Sequence, residues 1–275
     1  MNAARDLLVR GLLAGLLAGV AAFFVAYAVG EPSVGAAIAV EESGGAAHDH
    51  GGAAGDHDHG TTEEVGPVAI EHDHDHDHGT VVPRSLQSTA GLATATIVAG
   101  VTLGGLIGTV SALGMGRFGR LGPRGVPMLV AGLGFVATYA VPSLGYPPNP
   151  PAVGQADTLG YRTELYFLLV AISLVAGVTA VLVARHLAAR WGAWHATIAC
   201  AAAYALVMLV TIALVPGYDE VPADFPAEVL VDFRQASVAV QATLWGVIGL
   251  ATAELAHRLA VRGRRGVRPA QLVDA

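Results

Sequence analysis

The sequence contains no lysine: all fifteen of its basic residues are arginine. That absence removes the P-loop, whose lysine reaches the nucleotide phosphates, and with it ATP hydrolysis by that route. It also removes Schiff-base chemistry, which needs a lysine amine. Cysteine is almost as scarce. Cys200 stands alone, so there is no internal disulfide and no CxxC metal or redox motif. Charged residues make up only 13% of the chain while 53% are hydrophobic, a balance that argues against a soluble domain and for a membrane protein.

The charge that does exist is unevenly placed. Residues 31–80 hold twelve acids, eight of the eleven histidines and no basic residue. Outside that stretch fifteen arginines face ten acids, a net of +5, although the whole chain is −7. The protein therefore reads as an acidic, His-rich insert in a mildly basic membrane protein, with nothing that indicates nucleic-acid binding.

A membrane helix needs about 20 apolar residues. Windows at 7–29, 91–114, 126–146, 165–185, 193–215 and 236–257 meet that requirement. The expected fold is an all-α integral membrane protein, a six-helix transmembrane bundle. Its parts are a first helix in 1–30, a His/Asp-rich loop expected to be disordered over 31–88, a five-helix core over 89–257 and an Arg-rich tail over 258–275. Twelve arginines fall before the first span, after the sixth or in the second and fourth connections, and only Arg84, Arg162 and Arg234 fall on the other side. By the positive-inside rule both termini are cytoplasmic and the insert faces outward across the cell membrane. Gly11, Gly15 and Gly19 in the first span, and Gly100, Gly104 and Gly108 in the second, form small-residue faces on which backbones can approach closely.

The insert carries the clearest chemistry. His48 and His50, His57 and His59, and His72, His74, His76 and His78 alternate with aspartate, most regularly in "EHDHDHDHGT". Imidazoles are mostly neutral at pH 7 and ligate first-row divalent metals. Gly-rich flanks with almost no large apolar residue leave this tract without a core of its own. Two or more imidazoles can close on one ion, which points to metal capture. Such nitrogen and oxygen sites follow the Irving–Williams order and do not choose among Co(II), Ni(II) and Zn(II).

Inside the spans polar groups are few. His195, near the aromatic pair Trp191 and Trp194, reads equally as an interfacial histidine or as part of a transport path. Arg234, Ser237, Gln241 and Trp245 fall on one stripe of the sixth helix, which has to face protein or water. Interhelical hydrogen bonding and path lining both account for it. "VPSLGYPPNPPAVG" must break the third helix, and "VPGYDEVPADFPAEVLVDFRQAS" adds Asp219, Glu220, Asp224, Glu228 and Asp232 on the same side, a candidate cation-concentrating mouth.

The stretches "YPPNPPAVG", "LGYRTELYFLLVAISL" and "DEVPADFPAEVLVDFRQASVAVQATLW" resemble the CbtA-type family of probable cobalt transporter subunits, and the likeness runs along essentially the whole chain. The resemblance implies Co(II) uptake associated with cobalamin synthesis, beside a small single-span, His-bearing CbtB-type partner subunit. Matching positions include Tyr146, Asn149, Arg162, Asp224, Arg234, Ser237 and Gln241, which with His195 make up the candidate path. The expected protein is thus not an enzyme. It holds no permanent cofactor, takes a divalent metal ion as cargo, sits in the lipid bilayer, and is open to homo-oligomerisation. Ni(II) or Zn(II) uptake, and a membrane-bound metal-binding or sensing protein without transport, are the alternatives. Helices of cation diffusion facilitators carry internal His/Asp motifs, which these spans lack.

The first span also resembles a signal peptide, with "AYA" at Ala26 to Ala28 as a small-residue cleavage site. Its length favours an uncleaved helix. Intact-mass measurement is expected to include residues 1–28, and a mass short by that segment would reduce the count to five spans.

Overall fold

A computed structural model describes residues 2–48, 83–118, 121–151, 153–155, 157–218 and 220–267. The described residues form helices and no strand, as hydrocarbon requires of an open chain that must bond its own backbone. α1 (Asn2–Val25) passes through a π turn at Ala26–Gly30 into α2 (Glu31–His48). α3 (Arg84–Leu86) and a π turn at Gln87–Gly91 lead into α4 (Leu92–Gly114). α5 (Gly125–Phe135), a π turn at Val136–Ala140 and α6 (Pro142–Gly145) make the third rod. α7 (Leu159–Trp191), α8 (Ala193–Leu214) and α9 (Ala227–Val267) complete the set. Among the described residues, six of these rods are long and apolar enough to cross a membrane. Residues 31–48 and 84–88, expected in the loop, are helical, and the sixth helix runs past 257 into the expected tail. Most of the remaining insert, and residues 268–275, lie outside the described residues.

Two of the π turns stand just before a proline, Pro32 and Pro142. Proline has no N–H for the carbonyl four residues back and crowds it. Widening the turn by one residue lets the chain carry on as helix. At Pro142 the affected carbonyl belongs to Thr138, and the Tyr166 hydroxyl of α7 donates to it at 3.1 Å. A polar group freed by proline is thus satisfied by a neighbouring helix, as lipid demands.

The closest packing lies between α1 and α4. A methyl carbon added to Gly11, Gly15, Gly19, Gly100, Gly104 or Gly108 would sit under 3.0 Å from the opposite backbone. The two glycine faces therefore meet each other, and neither can accept a side chain. α9 packs on this pair through a core that includes Ala18, Ala22, Ile107, Leu244, Trp245 and Ile248. α5 joins by placing Gly134 directly against the Trp245 ring. The α7–α8 hairpin, turned at Gly192 with φ of 77°, is more peripheral. Only 11% of the apolar stretch in each of its helices is buried, against 39% in the second and sixth spans. Ser173 and Tyr204 hydrogen-bond across it at 2.8 Å.

Ion pairs mark the two ends of the bundle. At the arginine-rich end, Glu254 accepts from Arg124 at 2.8 Å and from Arg258 at 2.9 Å, and Arg185 stands 5.1 Å above the Phe118 ring. At the opposite end, where the proline-rich loops lie, Arg84 pairs with Glu31.

Gly15→Ala should lower the melting temperature in detergent, because overpacking a rigid contact costs roughly 1–3 kcal/mol. Gly246, with nothing within 4 Å of an added carbon, supplies the control: Gly246→Ala should melt no lower than the parent.

Candidate functional site

At the loop-bearing end, the segment following α6 and the segment following α8 fold onto each other. Tyr146 N–H closes α6 onto Pro142 O at 2.9 Å, and its hydroxyl crosses to Pro216 O at 2.6 Å. Burial, with the neighbouring phenols Tyr218 and Tyr161, pushes the Tyr146 pKa above its ordinary 10.0. The phenol therefore stays protonated, as its donor role requires.

Glu220 makes the stronger link. Its carboxylate accepts from Thr158 Oγ1 at 2.6 Å and from the Gln155 N–H at 2.9 Å, with Arg162 Nη1 at 3.1 Å. The Thr158 hydroxyl, the Gln155 amide and then the Arg162 charge hold its pKa below the ordinary 4.5. The Glu220 side chain is 9% exposed. Arg162 also donates to Gln155 O at 3.2 Å, and Gly154 beside the guanidinium has φ of 119°, a backbone conformation in which a side chain would be strained.

Arg234 closes the third side. From α9 it reaches Asn149 Oδ1 at 3.0 Å and Pro148 O at 3.4 Å. Prolines remove N–H groups from this loop while keeping every carbonyl, so a guanidinium with five donors is a suitable fastener.

Beside these contacts lies an open pocket of about 420 Å³. Tyr146, Asn149 and Arg162 of the expected path line it, as do Tyr139, Tyr166 and Tyr218. Arg234 stands behind Asn149. Ser237 and Gln241 instead turn to their own helix, Ser237 donating to Phe233 O at 2.9 Å and Gln241 accepting from Trp245 Nε1 at 3.2 Å. Asp224 is exposed on the loop and does not line the cavity. His195 is exposed at the start of α8, about 45 Å from Arg162 along α7 at 1.5 Å per residue. It lies at the arginine-rich end.

Glu220 as a fastener and the phenols of Tyr139 and Tyr218 are not singled out by the sequence. The "DE" pair was read only as outward charge, and tyrosines at spacings set by three separate segments share no periodicity. Among the eight candidate metal-ligating histidines, His48 ends α2 without a described side chain, and His50, His57, His59, His72, His74, His76 and His78 lie outside the described residues, as does Asp219. Among the described residues no three of His, Cys, Asp and Glu stand together as a metal site.

A family model described as probable cobalt transporter subunit (CbtA) matches residues 4–257. No curated protein and no solved structure matches the chain.

The Glu220 contacts predict a pH dependence. Folding lowers the pKa below 4.5, so the link between loops is fully present above about that pH and is lost as pH falls through the lower folded-state value. Spin labels at Asp157 and Gly217 should report a fixed distance at neutral pH that broadens under acid, and Glu220→Gln should broaden it at neutral pH.

Proposed function

Because this chain belongs to the CbtA family of probable cobalt transporter subunits, we propose that it is the membrane-spanning subunit of a divalent transition-metal uptake system, with Co(II) as cargo. The observation that carries this reading is the set of eight histidines alternating with aspartate between the first two spans, on the side opposite the arginines. Neutral imidazoles at this spacing gather metal from dilute supply. The same arginine distribution supports both termini in the cytoplasm, so that capture occurs outside and delivery inside.

Energy need not come from nucleotide hydrolysis within this chain. An inside-negative potential of about 100 mV favours inward movement of a divalent cation by about 4.6 kcal/mol. The family description speaks of a subunit, which supports a partner; our reading makes it a small single-span, His-bearing CbtB-type chain. The protein is read as a carrier of substrate and not as an enzyme.

A second reading, a metal-binding or sensing membrane protein without transport, rests on the same His/Asp-rich insert, which can gather metal whether or not the bundle passes it on. Uptake into proteoliposomes, followed by elemental mass spectrometry with the partner present, separates the two. Metal-dependent accumulation is expected, and its absence would leave the sensing reading. Deleting residues 44–79 should raise the half-saturating Co(II) concentration several-fold with little change in maximal rate. Arg234→Ala and Asn149→Ala should instead lower the rate at saturating metal. Competition by Ni(II) and Zn(II) in transport, rather than in binding, reads the selectivity of the path.

A further inference from the structure

The half of α7 that leads to the arginine-rich end is bare. Its packing on the third rod lies at the π turn Val136–Ala140 and α6, near the loops, and elsewhere it packs mainly on α8. Past Ser173 every residue of α7 is at least partly exposed. Leu174, Val178 and Leu182 are exposed and fall with Arg185 on one stripe of the helix. From Leu174 to Arg185 the helix rises about 17 Å at 1.5 Å per residue. That is about half of the roughly 30 Å hydrocarbon core, the depth of one lipid monolayer.

The stripe ends on positive charge. Arg185 stands 5.1 Å above the Phe118 ring, an attraction that consumes none of its N–H donors. Among the described residues no hydrogen bond or ion pair engages those donors. Arg117, next to Phe118 in the chain, is exposed and gives an N–H to Leu113 O, so a second guanidinium stands nearby. Acids at this end are few and occupied elsewhere. Against twelve arginines the sequence places only Asp6, Glu254 and Asp274 there. Asp6 lies 4.0 Å from Arg10, Glu254 is taken by Arg124 and Arg258, and Asp274 is outside the described residues. Trp191 and Trp194, exposed at the hairpin turn, are side chains that settle at headgroup level.

We propose that Arg185, with Arg117 beside it, binds the headgroup phosphate of an anionic phospholipid whose acyl chains lie along Leu174, Val178 and Leu182. Phosphate oxygens match the planar guanidinium fork. A zwitterionic lipid brings its own ammonium to a place that is already positive, so a headgroup of net negative charge is preferred. This binding does not depend on the uptake reading.

The test is native mass spectrometry of the full chain, titrated with phosphatidylglycerol or with phosphatidylcholine of the same acyl chains. A saturable phosphatidylglycerol adduct is expected, with phosphatidylcholine binding more weakly. Arg185→Gln should lower phosphatidylglycerol affinity about fivefold, the effect of one arginine at an anionic lipid surface. Arg185→Lys keeps the charge and loses the fork, and should lower it less. Arg5→Gln removes the same charge from the same end but away from the stripe, and should leave affinity unchanged. Phosphatidylglycerol should also raise the melting temperature of the parent more than that of Arg185→Gln. Equal binding of the two lipids would overturn the proposal. So would an equal loss in Arg5→Gln and Arg185→Gln, which would mean diffuse attraction to a charged end, or displacement of the lipid by inorganic phosphate, which would mean a free-anion site.

Discussion

The bundle depends on the contact between α1 and α4, where two rows of glycine let backbone meet backbone. Lipid tails are as apolar as leucine, so burying side chains gives helices in a membrane little reason to associate; close van der Waals contact does. A seam without side chains brings the first and second rods close enough for α9 to lie across both, through Ala18, Ala22, Leu244 and Ile248. α5 then seats Gly134 on Trp245. From that order follows the position of α6 and its loop, because the third rod is fixed at α5 and carries on through the π turn to Gly145. Arg234 leaves α9 at the height needed to meet Asn149. The polar mouth is thus placed by an apolar contact deep in the membrane.

Much of this was legible in the residues. Hydropathy located the six rods, and the four-residue glycine spacing marked two faces suited to close approach. Spacing on one helix says which residues share a face but not which helix answers it, and only the structure shows that the two glycine faces meet. The sixth-span stripe illustrates the same limit. Arg234, Ser237 and Gln241 do lie on one side of α9, yet Arg234 reaches across 85 positions in sequence to Asn149 while the other two bond within their own helix. The helical extension into 31–48 was hidden by its glycines and proline, which score against helix; continuity from a rod fixed by packing outweighs that preference. His195 was drawn into the path by its chemistry, although its place at the start of the fifth span already put it among the arginines.

The membrane-embedded portion and the insert divide the chemistry between them. Imidazole and carboxylate are concentrated in one, guanidinium and phenol line the mouth of the other. A protein that handles a divalent cation gains from such separation, since a tight intramembrane cage would hold the ion it must release. Arginine serves the mouth better than lysine would. Its charge does not titrate and its planar fork ties down carbonyl-rich proline loops.

The hydroxyl of Tyr166 on Thr138 has a consequence beyond satisfying one carbonyl. It joins the α7–α8 hairpin, whose helices are the least buried of the six described spans, to the third rod at the carbonyl that Pro142 leaves without its helical donor. A helix pair with so little protein around it adjusts to the surrounding bilayer chiefly by tilting. A tilt of α7 would carry Tyr166 with it, and the 3.1 Å bond weakens within tenths of an ångström of stretching. The hairpin and the third helix therefore share this bond, and Tyr166→Phe would leave the Thr138 carbonyl without the partner it has here.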